Sequence, residues 1–264
     1  MTRPEQAALL GVTQKGASKE GWGHSLAGRR ALVVGGSGGI GAAISTELAR
    51  RGASVLVHGR STVKIEGIVA SIRASGGSAE GFAVEIQTPS AFVESLLPFG
   101  HFDLVAIAFG PFVRKPLAAT SAADWERMAL LDFALPGAIA SHFLPAMLEL
   151  GFGRFLLFGG TRTDSIKAYR SNAAYAAAKT GLGVLAKSIA AEGSERNVAA
   201  LVICPGIVDT MYLVEKARDE ATSMAPRGLL LDPFDIACTA LDLLACEPCL
   251  ASGAIISLDA GFSP

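Results

Sequence analysis

From Arg30 onward, short and predominantly apolar runs alternate with longer segments of mixed polarity. The apolar runs are Arg30–Val34, 54–58, 79–84, 104–108, 155–158, 198–203 and 253–258, each of strand length. The segments between them predict helices over 42–50, 63–75, 90–97, 122–149, 173–192 and 233–245, the long one bent near Pro136-Gly137. Strands with few polar positions belong to a parallel sheet covered on both faces. Strand and helix in strict alternation predict one α/β domain, a doubly wound, seven-stranded open parallel sheet with helices on both faces. Ligands of such a sheet sit beyond the carboxyl ends of its strands. The glycine loop at 35–41, Gly160-Thr161 and Pro205-Gly206 all fall there. Ahead of the first strand, residues 1–28 read as an N-terminal arm, with 29–264 as the domain. Residues 212–231 read as an irregular polar segment.

Composition agrees with this. Half of the 264 residues are hydrophobic and the mean hydropathy is +0.42, as a sheet buried on both faces requires. A net charge of −1 without basic runs argues against nucleic acid or an anionic membrane as partner. The stretch 129–148 is apolar, but Asp132, Pro136, His142 and Pro145 mark it as a buried or subunit-interface helix, not a membrane span. The arm lacks the apolar core of a secretory signal, which sets the expectation of a cytoplasmic protein with reduced thiols. Cys246-Glu247-Pro248-Cys249 has redox or metal spacing, but a single pair supplies two ligands and reads as incidental. No metal is expected.

The chemistry begins with Tyr175 and Lys179. They are four residues apart on an Ala-rich predicted helix, so they share a face one turn apart. A phenol ordinarily titrates near pH 10, and a neighbouring ammonium lowers that value. The pair is therefore a candidate proton donor or acceptor, the alternative being a surface Tyr and Lys. The loop Gly35-Gly36-Ser37-Gly38-Gly39-Ile40-Gly41 opens a helix directly after a strand. Glycines admit a pyrophosphate close to the backbone, the helix N-terminus offers free N–H groups, and Ser37 adds a hydroxyl. An acid about 20 residues further on would bind the adenosine ribose and favour NAD. Gly59 stands there instead, followed by Arg60 and Ser61, which suit a phosphate and favour NADP(H) over NAD(H).

The glycine loop, Tyr175-x-x-x-Lys179 and Pro205-Gly206-Ile207-Val208-Asp209-Thr210 together resemble the three signatures of the short-chain dehydrogenase/reductase family, in order and at family spacing. The likeness covers about residues 26–262 and includes Leu258-Asp259-Ala260-Gly261. It implies a single-domain Rossmann fold and interconversion of a carbonyl and a secondary alcohol, with 3-oxoacyl thioester reductases the commonest analogy. Tyr175 would be the acid or base. Lys179 would hold the nicotinamide ribose and lower the Tyr175 pKa. Pro205, Gly206, Val208 and Thr210 would fix the carboxamide end of the nicotinamide, and Glu85-Ile86 would lie beside adenine. The resemblance also implies a homodimer or homotetramer built on the two long helices.

Three positions depart from the family pattern. Ile107-Ala108-Phe109-Gly110 replaces its Asn-containing motif, though Gly110 keeps room for a cofactor. Aligned from the strand 155–158 the family serine falls at Gly160, and counted back from Tyr175 it falls at Arg162 or Thr163, a loop about two residues longer than usual; Thr161 is the first substitute, Thr163 the second. The relay Asn corresponds to Asp132, a carboxylate expected to pair with Lys179 and blunt its effect on Tyr175, altering the pH dependence. Residues 212–231, with Met211, Tyr212, Leu213, Met224, Leu229 and Leu230, suit a lid over a lipophilic substrate or an amphipathic surface helix. Two functions remain open: an NADP(H)-dependent oxidoreductase, and a non-catalytic NADP(H)-binding sensor or scaffold.

Overall fold

The apolar runs become seven strands: β1 (Arg30–Val34), β2 (Ser54–Gly59), β3 (Ser78–Ala83), β4 (Leu104–Ile107), β5 (Gly153–Phe158), β6 (Val198–Pro205) and β7 (Ile255–Leu258). All pair in parallel, in the order β3-β2-β1-β4-β5-β6-β7. The computed structural model describes residues 25–262 apart from Tyr212 and Val214. Residues 1–24 of the arm and Tyr212 of the lid segment thus lie outside the described residues.

Strand alternation sorts the core into two layers. Ala31, Val33, Val55, Val57, Leu156, Phe158, Leu201 and Ile203 face one side. There they meet α1 (Gly39–Arg50), α2 (Thr62–Ala74) and α8 (Pro233–Leu244). Leu32, Val34, Val105, Ile107, Phe155, Leu157, Ala200 and Val202 face the other. Their partners are α3 (Pro89–Leu96), α5 (Leu135–Leu150) and α6 (Ala173–Gly193). Buried Glu47 on α1 binds Arg51 at 2.8 Å, and Arg51 reaches Asp242 of α8 at 2.7 Å, locking these two helices together. The last part of the arm is docked: Leu26 is buried and its N–H donates to Arg51 O.

The long helical region departs from expectation. It runs as α4 (Ala122–Met128), a π-helical turn (Ala129–Ala134) and α5. The distortion therefore begins before Pro136, which lies near the start of α5 inside one continuous helical run and has no N–H to bond back into the turn ahead of it. The whole run, Ala122–Leu150, is long and apolar enough to cross a membrane. Its apolarity has a local cause, since Leu135, Ile139, Phe143 and Met147 are buried against the sheet. The segment after β6, expected as an irregular polar stretch or an amphipathic helix, forms α7 (Glu215–Met224). Cys246 and Cys249 lie between α8 and β7 as free thiols, each donating to a carbonyl of α8. Among the described residues, no three His, Cys, Asp or Glu side chains gather as a metal site.

Candidate active site

The strand order reverses between β1 and β4, and the carboxyl ends on either side of that point open a cleft. A cavity of about 200 Å³ lies in it, lined by Ile40, Ala108, Phe109, Gly110, Phe158, Gly159, Gly160, Thr161, Tyr175, Lys179 and Pro205. A groove of about 670 Å³ at the opposite edge, beside Asn197, Val198 and Cys249, is larger. It lies at the amino end of β6, and its Asn197 already serves the buried Arg154 guanidinium. The smaller cavity holds the chemistry.

Gly35 turns out of β1 at φ +80°, and a Cβ there would lie 2.7 Å from Ala108 O. A Cβ on Gly41 would overlap the Gly35 carbonyl oxygen. Backbone thus packs on backbone where β1 meets α1. The first turn of α1 has no side-chain cap, leaving its N–H groups for a ligand. His58, which sequence reasoning passed over, braces this loop. Gly35 N–H donates to His58 Nδ1 at 3.3 Å, and Nε2 lies 3.1 Å from Val84 O. Only the neutral Nε2–H tautomer satisfies both partners. Burial pushes the His58 pKa down to about 4, so the ring stays neutral at physiological pH. The one available signal was a histidine at the end of an otherwise apolar strand.

A Cβ on Gly59 would collide with Ser37 Oγ, so a ribose-binding carboxylate has no room there. Arg60 follows, exposed, and Ser61 caps α2 by accepting from Lys64 N–H at 3.4 Å. Glu85 is exposed and Ile86 buried just beyond β3. At the end of β6, Gly206 N–H donates to Leu258 O at 3.0 Å, and Val208 bridges to Leu231, with Thr210 half-buried beyond.

Tyr175 and Lys179 share one face of α6, with Lys179 Nζ 5.9 Å from the phenol ring centroid. The ammonium is nearer to Asp132 Oδ1, at 3.0 Å, and its next partner is Phe109 O at 3.4 Å. Asp132 projects from the π-helical turn and is wholly buried. Its carboxylate holds this ion pair without a well-formed hydrogen bond to either oxygen. Burial drives the Asp132 pKa up to about 6, against the opposing pull of Lys179 and the more distant Arg127. The Tyr175 pKa rises as well, through burial first and then the charge of Asp132. Lys179 is not among the causes of that rise, and the expected lowering of the phenol pKa by its ammonium does not appear in this arrangement. The expected pairing of Asp132 with Lys179 is present, and it diverts the ammonium from the phenol.

The two threonines separate cleanly. Thr161 lines the cavity and donates to Gly206 O at 3.3 Å. Thr163 is buried and closes its own loop, accepting from Gly160 N–H at 2.8 Å and contacting Gly160 O at 3.0 Å. A side chain at 160 has no space: a Cβ would lie 2.8 Å from Tyr175 Oη and 2.6 Å from its ring. At Gly110 a Cβ would overlap Asp132 Oδ1 and lie 2.9 Å from Lys179 Nζ.

Comparison with known proteins agrees with the fold. The short chain dehydrogenase family profile matches residues 29–221. A 2,5-dichloro-2,5-cyclohexadiene-1,4-diol dehydrogenase of Sphingobium indicum is 28% identical, over 91% of this chain and 98% of that protein. A hydroxynaphthalene reductase-like protein of Metarhizium majus is 33% identical over 74% of each. Among solved structures, a 3-oxoacyl (acyl-carrier-protein) reductase from Agrobacterium tumefaciens with NADP bound superposes with a TM-score of 0.82 at 27% identity, covering 90% of this chain and 96% of that one. A short-chain dehydrogenase/reductase from Serratia marcescens gives 0.81 at 26% identity, covering 91% and 100%. The chain belongs to the short-chain dehydrogenase/reductase family and is an oxidoreductase of that family, whose members bind NAD(P).

The crowding at Gly160 makes a test. Restoring a serine there places its Cβ against the Tyr175 ring and pushes the phenol out of position. Gly160→Ser and Gly160→Ala are both expected to lose about a hundredfold in kcat/KM, since a misplacement of about 1 Å costs that much. A gain in the serine variant alone would show that the missing hydroxyl, not the space, is what matters.

Proposed function

We propose that this protein is an NADP(H)-dependent oxidoreductase interconverting a lipophilic carbonyl compound and its secondary alcohol. The observation that carries the reading is the meeting of Tyr175, Lys179 and Thr161 in one cavity that also touches Ile40 of the glycine-loop helix and Pro205. The side-chain-free approaches at Gly35, Gly41 and Gly110, with the uncapped start of α1, fit a dinucleotide. Gly35, Ser37, Gly39, Ile40 and Gly41 would hold the pyrophosphate, and Arg60 with Ser61 the adenosine phosphate. Glu85 and Ile86 would flank adenine, and Gly110, Pro205, Gly206, Val208 and Thr210 the nicotinamide end. The bound cofactor supplies the hydride.

In reduction, Tyr175 Oη gives its proton to the carbonyl oxygen while Thr161, turning its single hydroxyl proton away from Gly206 O, donates a hydrogen bond to the same oxygen. Burial and the Asp132 charge keep the phenol protonated in this arrangement, so it carries the proton that reduction requires but releases it reluctantly. Lys179 would turn from Asp132 to the nicotinamide ribose, and its charge would then ease loss of the phenolic proton. Two of the relatives are named for ring compounds, a cyclohexadienediol and a hydroxynaphthalene, in keeping with a lipophilic substrate. Exposed Trp125, Leu130, Phe133 and Val184 on the long helices suit a homodimer or homotetramer, which a solution mass of one chain would refute. The cytoplasm, with its NADPH supply and reducing conditions, suits the free thiols.

Oxidation of NADPH with a panel of ketones, aldehydes and 3-oxoacyl thioesters, beside Tyr175→Phe, tests the reading. Wild type should turn over, the Phe variant should lose at least about a hundredfold as general acids contribute, and Arg60→Ala should weaken NADPH more than NADH. Tight NADPH binding with no turnover would instead favour a non-catalytic sensor.

The pH profile is the second test. Above about pH 6 Asp132 is ionised, holds Lys179 and raises the Tyr175 pKa. Asp132→Asn removes that charge, so the rising limb of kcat/KM for alcohol oxidation should move to lower pH, by about one unit. An unmoved limb would remove Asp132 from the chemistry.

A further inference from the structure

We propose that the substrate is a planar, ring-bearing ketone or its alcohol, and that Phe112 selects it by presenting a fixed aromatic plate beside Tyr175. The inference rests on Tyr175 as the proton donor.

Phe112 lies in the loop that follows β4. Its ring stands edge-to-face on Tyr175, with centroids 4.9 Å apart and an interplanar angle of 86°. Such a contact fixes the ring without covering it. Phe112 remains 59% exposed, so most of a large apolar surface is held in place and left bare at the mouth of the cleft. A lone exposed apolar side chain is ordinary, but one locked onto the proton donor is placed to meet whatever Tyr175 protonates.

The position of the cavity gives the direction. Ile40, Lys179 and Pro205 line it on the cofactor side, so a substrate whose carbonyl reaches Tyr175 Oη must extend outward past the phenol. That path leads over Phe112. Gly160 lets its backbone pack directly on the phenol ring, so no side chain of that loop stands between Tyr175 and the cleft. On the loops after β5 and β6, Ile166, Met211 and Leu229 are exposed apolar groups. Two charged pairs nearby are matched: Arg114 faces Glu220 at 4.0 Å, and Arg218 holds Asp209 at 2.5 Å. A rigid ring gains the whole plate without ordering rotatable bonds, whereas a flexible chain gives up entropy for each one it orders.

The reaction balances without a further reactant. Hydride forms the new C–H bond, the C=O π pair takes the Tyr175 proton, and NADPH is oxidised to NADP⁺. The test compares β-tetralone with 2-decanone, ketones of equal carbon number, on wild type, Phe112→Ala and Phe112→Tyr. Wild type should favour β-tetralone in kcat/KM by about tenfold or more. Phe112→Ala should raise the KM for β-tetralone about tenfold with kcat within about twofold, and leave 2-decanone little changed. Phe112→Tyr should restore the wild-type KM. Equal preference for the two ketones, or an equal loss for both in Phe112→Ala, would overturn the proposal. If neither ketone is reduced, the oxidoreductase reading is what suffers. The thermal midpoint of the NADPH-saturated protein then decides the ring: a rise with β-tetralone that Phe112→Ala abolishes supports it, and no rise overturns it.

Discussion

In a wholly parallel sheet every strand ends on the same edge, and the chain must return behind the sheet before it can form the next strand. That constraint places residues far apart in sequence around one cleft. Gly35 after β1, Phe109 after β4, Gly160 after β5 and Pro205 at the end of β6 become neighbours for this reason alone. The two hydrophobic layers hold the strands in register, and the register decides which carbonyl or side chain meets which. The fit of Gly35 against Ala108 O depends on Val34 lying opposite Ile107.

Within the cleft, the charges are arranged differently from what the catalytic pair alone suggests. Lys179 has one strong partner, Asp132, and both are removed from water. Separating a buried pair leaves an uncompensated charge, which is costly unless a new partner is supplied. A ligand that offers Lys179 hydroxyl groups would make such an exchange feasible. The ion pair thus couples binding in the cleft to the field felt by Tyr175, through a single ammonium that cannot serve both sides fully at once.

Much of the fold was legible because its signals are local and repeated. Apolar runs bounded by glycine gave all seven strands, and the glycine loop, Tyr175 with Lys179, and Pro205-Gly206 marked the cleft. What was not legible depends on exact distance. The π-helical turn at Ala129–Ala134 has no composition of its own, so Pro136-Gly137 drew the expected bend to itself. Helix α7 was only one of two readings of its segment, since a helix with few apolar positions shows little periodicity. His58 ended a strand pattern and carried no assigned role, because its two hydrogen bonds depend on which loops the fold brings to it. Spacing could not separate Thr161 from Thr163, because the difference is which way the loop turns its hydroxyls.

The π-helical turn carries a further meaning. A helix advances about 100° of rotation per residue, so one residue accommodated in a wider turn changes the heading of everything before it relative to everything after. Met128 and Asp132 lie before the end of that turn and Leu135, Ile139 and Phe143 beyond it, all facing inward. Shortening the stretch by a single amino acid would let it relax into ordinary α-helix. The anchor on the sheet would survive while the carboxylate swung away from its ammonium. In this protein the aim of a charged group is thus recorded as a residue count, and a deletion that spares every active-site side chain could still disarm the cleft.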